Sequence, residues 1–482
     1  MDERECDVVV IGAGPAGENV ADRVCRGGLS VVVVESELVG GECSYWACVP
    51  SKAMLRPWAA LTAARSVDGA REAVTGDLDA TSVLARRTRF THGWTDQPNG
   101  AAWLEQAGLE LIRGRARLTG GRRVEVVHDD GSAGLLARHA VVIATGSSAA
   151  IPPIPGMAAD RVWTSREATS AGTVPARLAI IGGGVVACEM ATAWQALGAE
   201  VTMLVRGPDL LPRVEPFAGE LVAASLRSAG VTVRTNVNVL RIRRLARATP
   251  AEIWTSASVE GQAADLVADE LLVAVGRTPR TAGLGLDTVG LSDGQWLTAD
   301  DSCLVGAVPG GWLYAVGDVN GRNLLTHMGK YQARACGDAI VARALGDLTG
   351  EPPPWSGLAA TADHLGPPQV IFTQPEVAAV GLTEAAAASQ NLPVRAVDYE
   401  ISDVSGAQLS ADGYAGRARF VVDERRKVLV GATFVGPGTG ELLHSATVAI
   451  VGEVPLGRLW HAVPSFPTIS EVFLRLLETY GL

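Results

Sequence analysis

The chain has 482 residues, 48% of them apolar and 19% charged, enough for about three domains with ordinary buried cores. Its 41 basic and 52 acidic residues leave a formal net charge of −11 with no long basic run, which argues against nucleic acid as a partner. No apolar run reaches the roughly 18 residues of a bilayer span, and the opening MDERECD lacks the basic-then-apolar order of a signal peptide, so a cytoplasmic protein without membrane contact is expected.

The first element is DVVVIGAGPAGENVADRVCRGGLSVVVVESE, from Asp7. It reads as a buried strand, a glycine turn, a helix and a second buried strand closing on Glu35, a complete βαβ unit. Gly12 permits the tight turn, Gly14 lets the backbone approach a pyrophosphate, and Gly17 allows close helix packing, with the helix N-terminus facing the phosphates. Glu35 is placed to accept hydrogen bonds from a ribose.

GGECSYWACVPSK follows at residues 40–52, with two cysteines five positions apart. Residues so spaced lie about 140° apart on an ideal helix, so the loop must leave regular helix to bring the sulfurs together. Pro50 suits a helix start, and that N-terminus is expected to lower the thiol pKa values. Seven scattered cysteines do not form a structural disulfide framework in a reducing compartment. A redox pair, buried structural thiols and an inert bridge remain open; zinc is disfavoured because no second close Cys or His pair accompanies this one. VPSKAMLRPWAALTAARS then has helical spacing. Lysine occurs only at Lys52, Lys330 and Lys427, so a compact ammonium at Lys52, where an arginine would be usual in this chain, argues for a chemical reason.

The βαβ pattern returns in RLAIIGGGVVACEMATAWQALGAEVTMLVRG, from Arg177, with Gly182 and Gly184 in the first two roles and Ala187 in the third. The position matching Glu35 is Val205, followed by Arg206. A missing acid beside a cation favours a ribose 2′-phosphate, hence NADPH, with NADH possible; Arg213 is a candidate second contact. Further on, GRARFVVDERRKVLVGATFVG reads as two strands around a charged turn and GTGELLHSATVAIVGE as a helix.

These motifs, with VVIATGS (141–147), AVGRTPR (274–280), LYAVGDVNG (313–321), VIFTQPEVAAVGLTE (370–384) and FPTISE (466–471), together resemble the pyridine nucleotide–disulfide oxidoreductases, the family of glutathione reductase, dihydrolipoamide dehydrogenase and mercuric reductase. The likeness covers almost the whole chain. It implies an α/β fold with two Rossmann-like nucleotide-binding domains and a C-terminal α+β dimerisation domain. The expected divisions are an FAD domain at 1–150, a nicotinamide domain at 151–275, a central segment at 276–345 and a dimerisation domain at 346–482 in a homodimer.

The resemblance further implies FAD on the first unit, completed by Gly317 and Asp318, with Asp318 on the ribityl chain. Gly146 marks the crossover out of the flavin domain, and Gly276 lies in the AVGRTPR motif. Hydride passes from nicotinamide to FAD and electrons pass on to a Cys43–Cys48 disulfide. By position Cys48 is the sulfur beside the flavin and Cys43 the outer, attacking thiol. Lys52 matches the family lysine near the flavin, paired with Glu189.

Two departures limit the carry-over. Phe466 stands where the thiol-reducing members carry a catalytic histidine, leaving Glu471 without the partner it would orient; loss of a positioned base costs about two to four orders of magnitude. Efficient reduction of glutathione-like or lipoyl disulfides is therefore not expected. Ordinary mercuric reduction is not expected either, because LRLLETYGL carries no terminal cysteine pair. His461, five residues upstream, is a candidate substitute, and the resemblance places His327 near the flavin. Tyr45 and Trp46, between the cysteines, pack the helix entrance or line a pocket for a flat acceptor. The expectation is an NAD(P)H-dependent flavoprotein oxidoreductase acting on a small-molecule electron acceptor, with no resident metal. The alternatives are direct flavin transfer to a quinone, metal ion or oxygen with the cysteines secondary, and a flavin-bound scaffold with little turnover.

Overall fold

The computed structural model describes residues 3–97, 99–244, 246, 249–255 and 265–482; Met1 and Asp2, which open the N-terminal stretch read above, lie outside them. The chain forms two packing units, each discontinuous in sequence.

The first unit comprises Met1–Val49, Thr88–Ala149 and Arg277–His364. Runs such as VVVI and VVVV do not alternate, and β-branched side chains apolar on both faces suit parallel strands covered on both sides. Val8, Val9 and Val10 are accordingly fully buried. Its sheet runs in the order Glu110–Arg113, Val31–Glu35, Glu3–Ile11, Gly131–Ile143, Arg123–His128, Arg115–Gly120, with Leu313–Ala315 also paired to Gly131–Ile143. The long strand serves twice. Its start is antiparallel to Arg123–His128, while its end is parallel to both Glu3–Ile11 and Leu313–Ala315. Helices Pro15–Arg26 and Thr326–Leu345 pack closely, because a Cβ at Gly337 would lie 2.7 Å from Arg23 Cβ. An Arg23–Asp338 ion pair at 2.6 Å joins them.

The second unit comprises Pro50–Arg87, Ala150–Gly276 and Leu365–Leu482. By packing, residues 50–87 go here, not with the first nucleotide unit: Met54, Leu55, Val83 and Leu84 are buried in one cluster with Trp163 and Trp194, whose rings lie 5.5 Å apart. A parallel sheet runs Thr232–Arg234, Glu200–Leu204, Arg177–Ile181, Glu270–Val273. A five-stranded antiparallel sheet holds Arg417–Asp423 and Val428–Gly436 as the hairpin read from sequence, and Leu443–Val451 is the helix read after it. The Asp423 carboxylate shapes that turn by accepting from the Arg425 and Arg426 amides at 2.8 and 3.0 Å. Among the described residues no helix is long and apolar enough to cross a membrane.

Candidate functional site

The first glycine loop has the shape its residues demand. Gly12 has φ +102°, and a Cβ there would lie 2.6 Å from the Ala144 carbonyl oxygen; a Cβ at Gly17 would lie 1.9 Å from the Gly12 oxygen. At Gly14 a Cβ would meet only the Gly41 Cα, at 3.9 Å, so the outer face of the loop is open. Glu35 closes the loop from the strand end, accepting from the Ala13 amide at 2.6 Å and the Glu37 amide at 2.7 Å. The same unit holds Gly146, with φ +72° and open space at its Cβ position. Gly317 leads to Asp318, whose carboxylate accepts from the Ser147 hydroxyl at 2.5 Å. Burial pushes the Asp318 carboxyl up, against the pull of Ser147 and of Arg277, 3.7 Å away. Bare backbone, a free helix N-terminus and two strand-end carboxylates fit a dinucleotide such as FAD.

Beside this loop the cysteine segment breaks where spacing requires. A short helix, Gly41–Tyr45, ends at Trp46, and a second helix, Cys48–Arg65, begins two residues later. Cys43 and Cys48 are thiols that hydrogen-bond to each other, and Cys48 Sγ lies 3.3 Å from the Thr326 hydroxyl. The expected lowering is not found at Cys43. The bond to Cys48 and burial raise its pKa well above the ordinary thiol value, against Thr326 and the charge of Lys330. Cys43 sits ahead of the longer helix, in the one-turn segment, so a neighbouring thiol outweighs the helix terminus. Among the described residues no third metal-ligating side chain joins the pair. Tyr45 is buried and packs at the helix entrance, its carbonyl accepting from the Trp94 indole at 3.0 Å.

In the second unit, Gly182 has φ +132° and a Cβ there would lie 2.2 Å from the Ala274 oxygen, whereas Gly184 and Gly276 face open space. Ala187 is fully buried, as a close helix contact requires. Arg206 and Arg213 are exposed, and among the described residues Arg206 has no carboxylate within ion-pair distance. An exposed, uncommitted guanidinium just beyond the strand Glu200–Leu204 fits a nicotinamide dinucleotide carrying a 2′-phosphate. Lys52 Nζ bridges both Glu189 oxygens at 3.0 and 2.7 Å and lies 4.9 Å from the Phe372 ring centroid. Glu189, 4% exposed, also accepts from the Phe372 amide at 3.1 Å.

The C-terminal motif lies in the same unit. Phe466 is 74% exposed and follows an extended loop in which Val463 is 84% exposed. Glu471 is buried and accepts from Arg475 at 2.6 Å, while its second oxygen has no partner among the described residues. His461 is exposed on a cavity of about 250 Å³ that Trp460 and Leu477 also line. His327 is exposed, in the first turn of Thr326–Leu345.

Sequence reasoning missed three contacts. Thr326 reaches Cys48, the Phe372 amide reaches Glu189, and Arg280 donates to Glu42, next to Cys43, at 2.8 Å. Cys48, Glu189, Phe372, Arg280 and Glu42 lie inside quoted motifs and Thr326 outside them, and nothing in a motif says which distant side chain it meets.

Comparison with known proteins gives a consistent picture. A family profile described as "Pyridine nucleotide-disulphide oxidoreductase" matches residues 6–336, and one described as its "dimerisation domain" matches residues 367–477. A dihydrolipoyl dehydrogenase of Chlorobaculum tepidum is 33% identical over 96% of this chain and 95% of its own length. A mercuric reductase of Shigella flexneri is 33% identical over 98% of this chain and 80% of its own. Two solved structures share the fold. One is the Cu(II) complex of the HOCl-induced flavoprotein disulfide reductase RclA from Escherichia coli (TM-score 0.80, 22% identity, 99% of both chains). The other is LpdA from Mycobacterium tuberculosis (TM-score 0.81, 23% identity, 99% of this chain and 100% of the other).

Proposed function

The chain belongs to the pyridine nucleotide-disulphide oxidoreductase family, and from that membership we propose that it passes electrons from NADPH through FAD to the Cys43–Cys48 pair and on to a small-molecule acceptor. The family uses FAD and NAD(P)H, and this chain is an oxidoreductase of that kind. Bound FAD supplies a two-electron relay between nicotinamide and disulfide. The observation that carries the reading is the thiol pair, sulfur facing sulfur, with Thr326 on Cys48.

The geometry supports the following roles. Gly12, Gly14 and Gly17 clear the backbone for the flavin nucleotide's pyrophosphate; Glu35 and Asp318 offer carboxylates to its ribose and ribityl hydroxyls. Glu189 holds Lys52, four residues after Cys48 in the chain, in one orientation as a charged pair. Cys43 is the outer thiol. We infer a homodimer from the dimerisation-domain match at residues 367–477.

Anaerobic NADPH titration should show uptake of two electron pairs, one for the flavin and one for the disulfide. Uptake ending at one pair removes the redox pair from the scheme. Arg206→Glu should raise the NADPH KM at least about tenfold, the scale of one charged hydrogen bond, and leave NADH nearly untouched. An unchanged NADPH KM ends the 2′-phosphate role. A second reading, direct transfer from flavin to a quinone, metal ion or oxygen, is favoured by the exposed ring of Phe466, which can neither take nor give a proton. Under it Cys43→Ser turns over at nearly the wild-type rate; under the first reading turnover collapses.

A further inference from the structure

The first unit holds a cavity of about 870 Å³ that the electron route does not use, a size suited to a small molecule. Its walls include the strand residues Arg138–Ala140, the glycines Gly310 and Gly311, and Ile340 and Arg343 of the helix Thr326–Leu345. In the sheet Val8 pairs with Ala140, whereas the flavin loop at Gly12 follows Ile11 and packs against Ala144. Four residues, about 13 Å of extended strand, separate Ala140 from Ala144. Open α/β sheets hold their nucleotides at the strand ends, so a cavity this far back along the strands is not an extension of the flavin cradle.

The lining is cationic in a chain of net charge −11. Arg343 donates to neutral oxygens, the Tyr314 hydroxyl at 3.2 Å, the Ser302 hydroxyl at 3.0 Å and the Gly350 carbonyl at 3.1 Å. Arg122, also on the lining, donates to the Arg138 carbonyl at 3.1 Å. Among the described residues neither guanidinium has a carboxylate within ion-pair distance. Arg138 is paired with Asp7 at 3.0 Å, and His139 lies 3.8 Å from the same carboxylate. Of the two acids on the lining, Asp300 already accepts from the Ser302 and Leu304 amides at 2.8 and 2.9 Å, and Glu351 is exposed.

The backbone adds two observations that point to an anion. Arg122 has φ +61°, a left-handed conformation costly for any residue but glycine, although Gly120 and Gly121 stand directly before it. Its carbonyl accepts from the Ala137 amide at 2.9 Å, so the fold fixes an arginine where a glycine would fit more easily. Gly310 and Gly311 have φ +94° and +64°, and among the described residues neither amide donates a hydrogen bond. Consecutive free amides in such a turn form a concavity suited to phosphate oxygens.

We propose that this cavity binds a small molecule carrying a polyphosphate chain, held by Arg122 and Arg343 through charge-assisted hydrogen bonds and by the Gly310 and Gly311 amides. A single phosphate would leave most of the 870 Å³ empty, whereas a chain of phosphates has oxygens for cations that enter from a turn and from a helix. Binding here is independent of the electron route, so neither reading falls with the other.

Isothermal titration calorimetry of the FAD-loaded protein makes the test, with ATP and tripolyphosphate as probes and NADP+ at saturation to block the nucleotide site of the second unit. Each probe should bind one equivalent per chain. Arg122→Gly removes the guanidinium and suits the left-handed backbone, so it should melt no lower than wild type and turn over NADPH at the wild-type rate. It should nevertheless bind both probes at least about tenfold more weakly, the scale of one charged hydrogen bond, and Arg343→Met should show the same loss. Tighter binding of ATP than of tripolyphosphate assigns a nucleotide; equal affinity assigns the phosphate chain alone. No binding of either probe in the presence of NADP+, or equal affinity for Arg122→Gly and wild type, overturns the inference.

Discussion

Cys48→Ser should halve the electron uptake of the protein and cut turnover with a disulfide acceptor by at least about three orders of magnitude, the scale on which loss of a covalent nucleophile is felt. Serine keeps the volume and a hydrogen bond to Thr326, at the position where Cys48 Sγ lies 3.3 Å away. It cannot form or reopen a disulfide. Cys43 would lose the neighbour chiefly responsible for holding its proton, so its pKa should fall towards the ordinary thiol range as turnover disappears. Anaerobic NADPH titration and steady-state assay read the first two effects, and alkylation against pH reads the third. Uptake of two electron pairs by the variant contradicts the proposed route.

Lys52→Met should destabilise the protein by about 2–3 kcal/mol, less than the roughly 3–5 kcal/mol of a fully buried pair because Lys52 is 34% exposed. Glu189 is 4% exposed and, among the described residues, would keep the Phe372 amide, at 3.1 Å, as its remaining partner. Removing the stranded charge as well, in Lys52→Met with Glu189→Gln, should restore most of the loss, since the penalty lies in the unpaired carboxylate. Thermal denaturation of the three variants beside wild type makes the check. Equal melting temperatures for Lys52→Met and wild type would show that Glu189 does not depend on its cation.

What the sequence disclosed was local and steric. Gly12, Gly17 and Gly182 are glycines because a Cβ would collide with backbone two to three ångströms away, a constraint that leaves a fixed signature along the chain. The cysteine spacing likewise forbade an unbroken helix, and the break falls at Trp46. The partners of those groups were hidden. Thr326 meets Cys48 across 278 residues and Phe372 meets Glu189 across 183, contacts set by the packing of helices and strands that no motif spells out. The pKa expectation at Cys43 failed for the same reason: the helix terminus was readable, whereas burial and the orientation of the second thiol were not.

The carboxylate at the end of the first β-α-β unit has a consequence for how a nucleotide arrives. Glu35 already ties down the amides of Ala13 and Glu37. The cradle is therefore rigid before any ligand enters, and little conformational freedom is left to lose on association. Affinity then depends on the lone pairs Glu35 still has to offer, so the same side chain acts as both a strut and a selector.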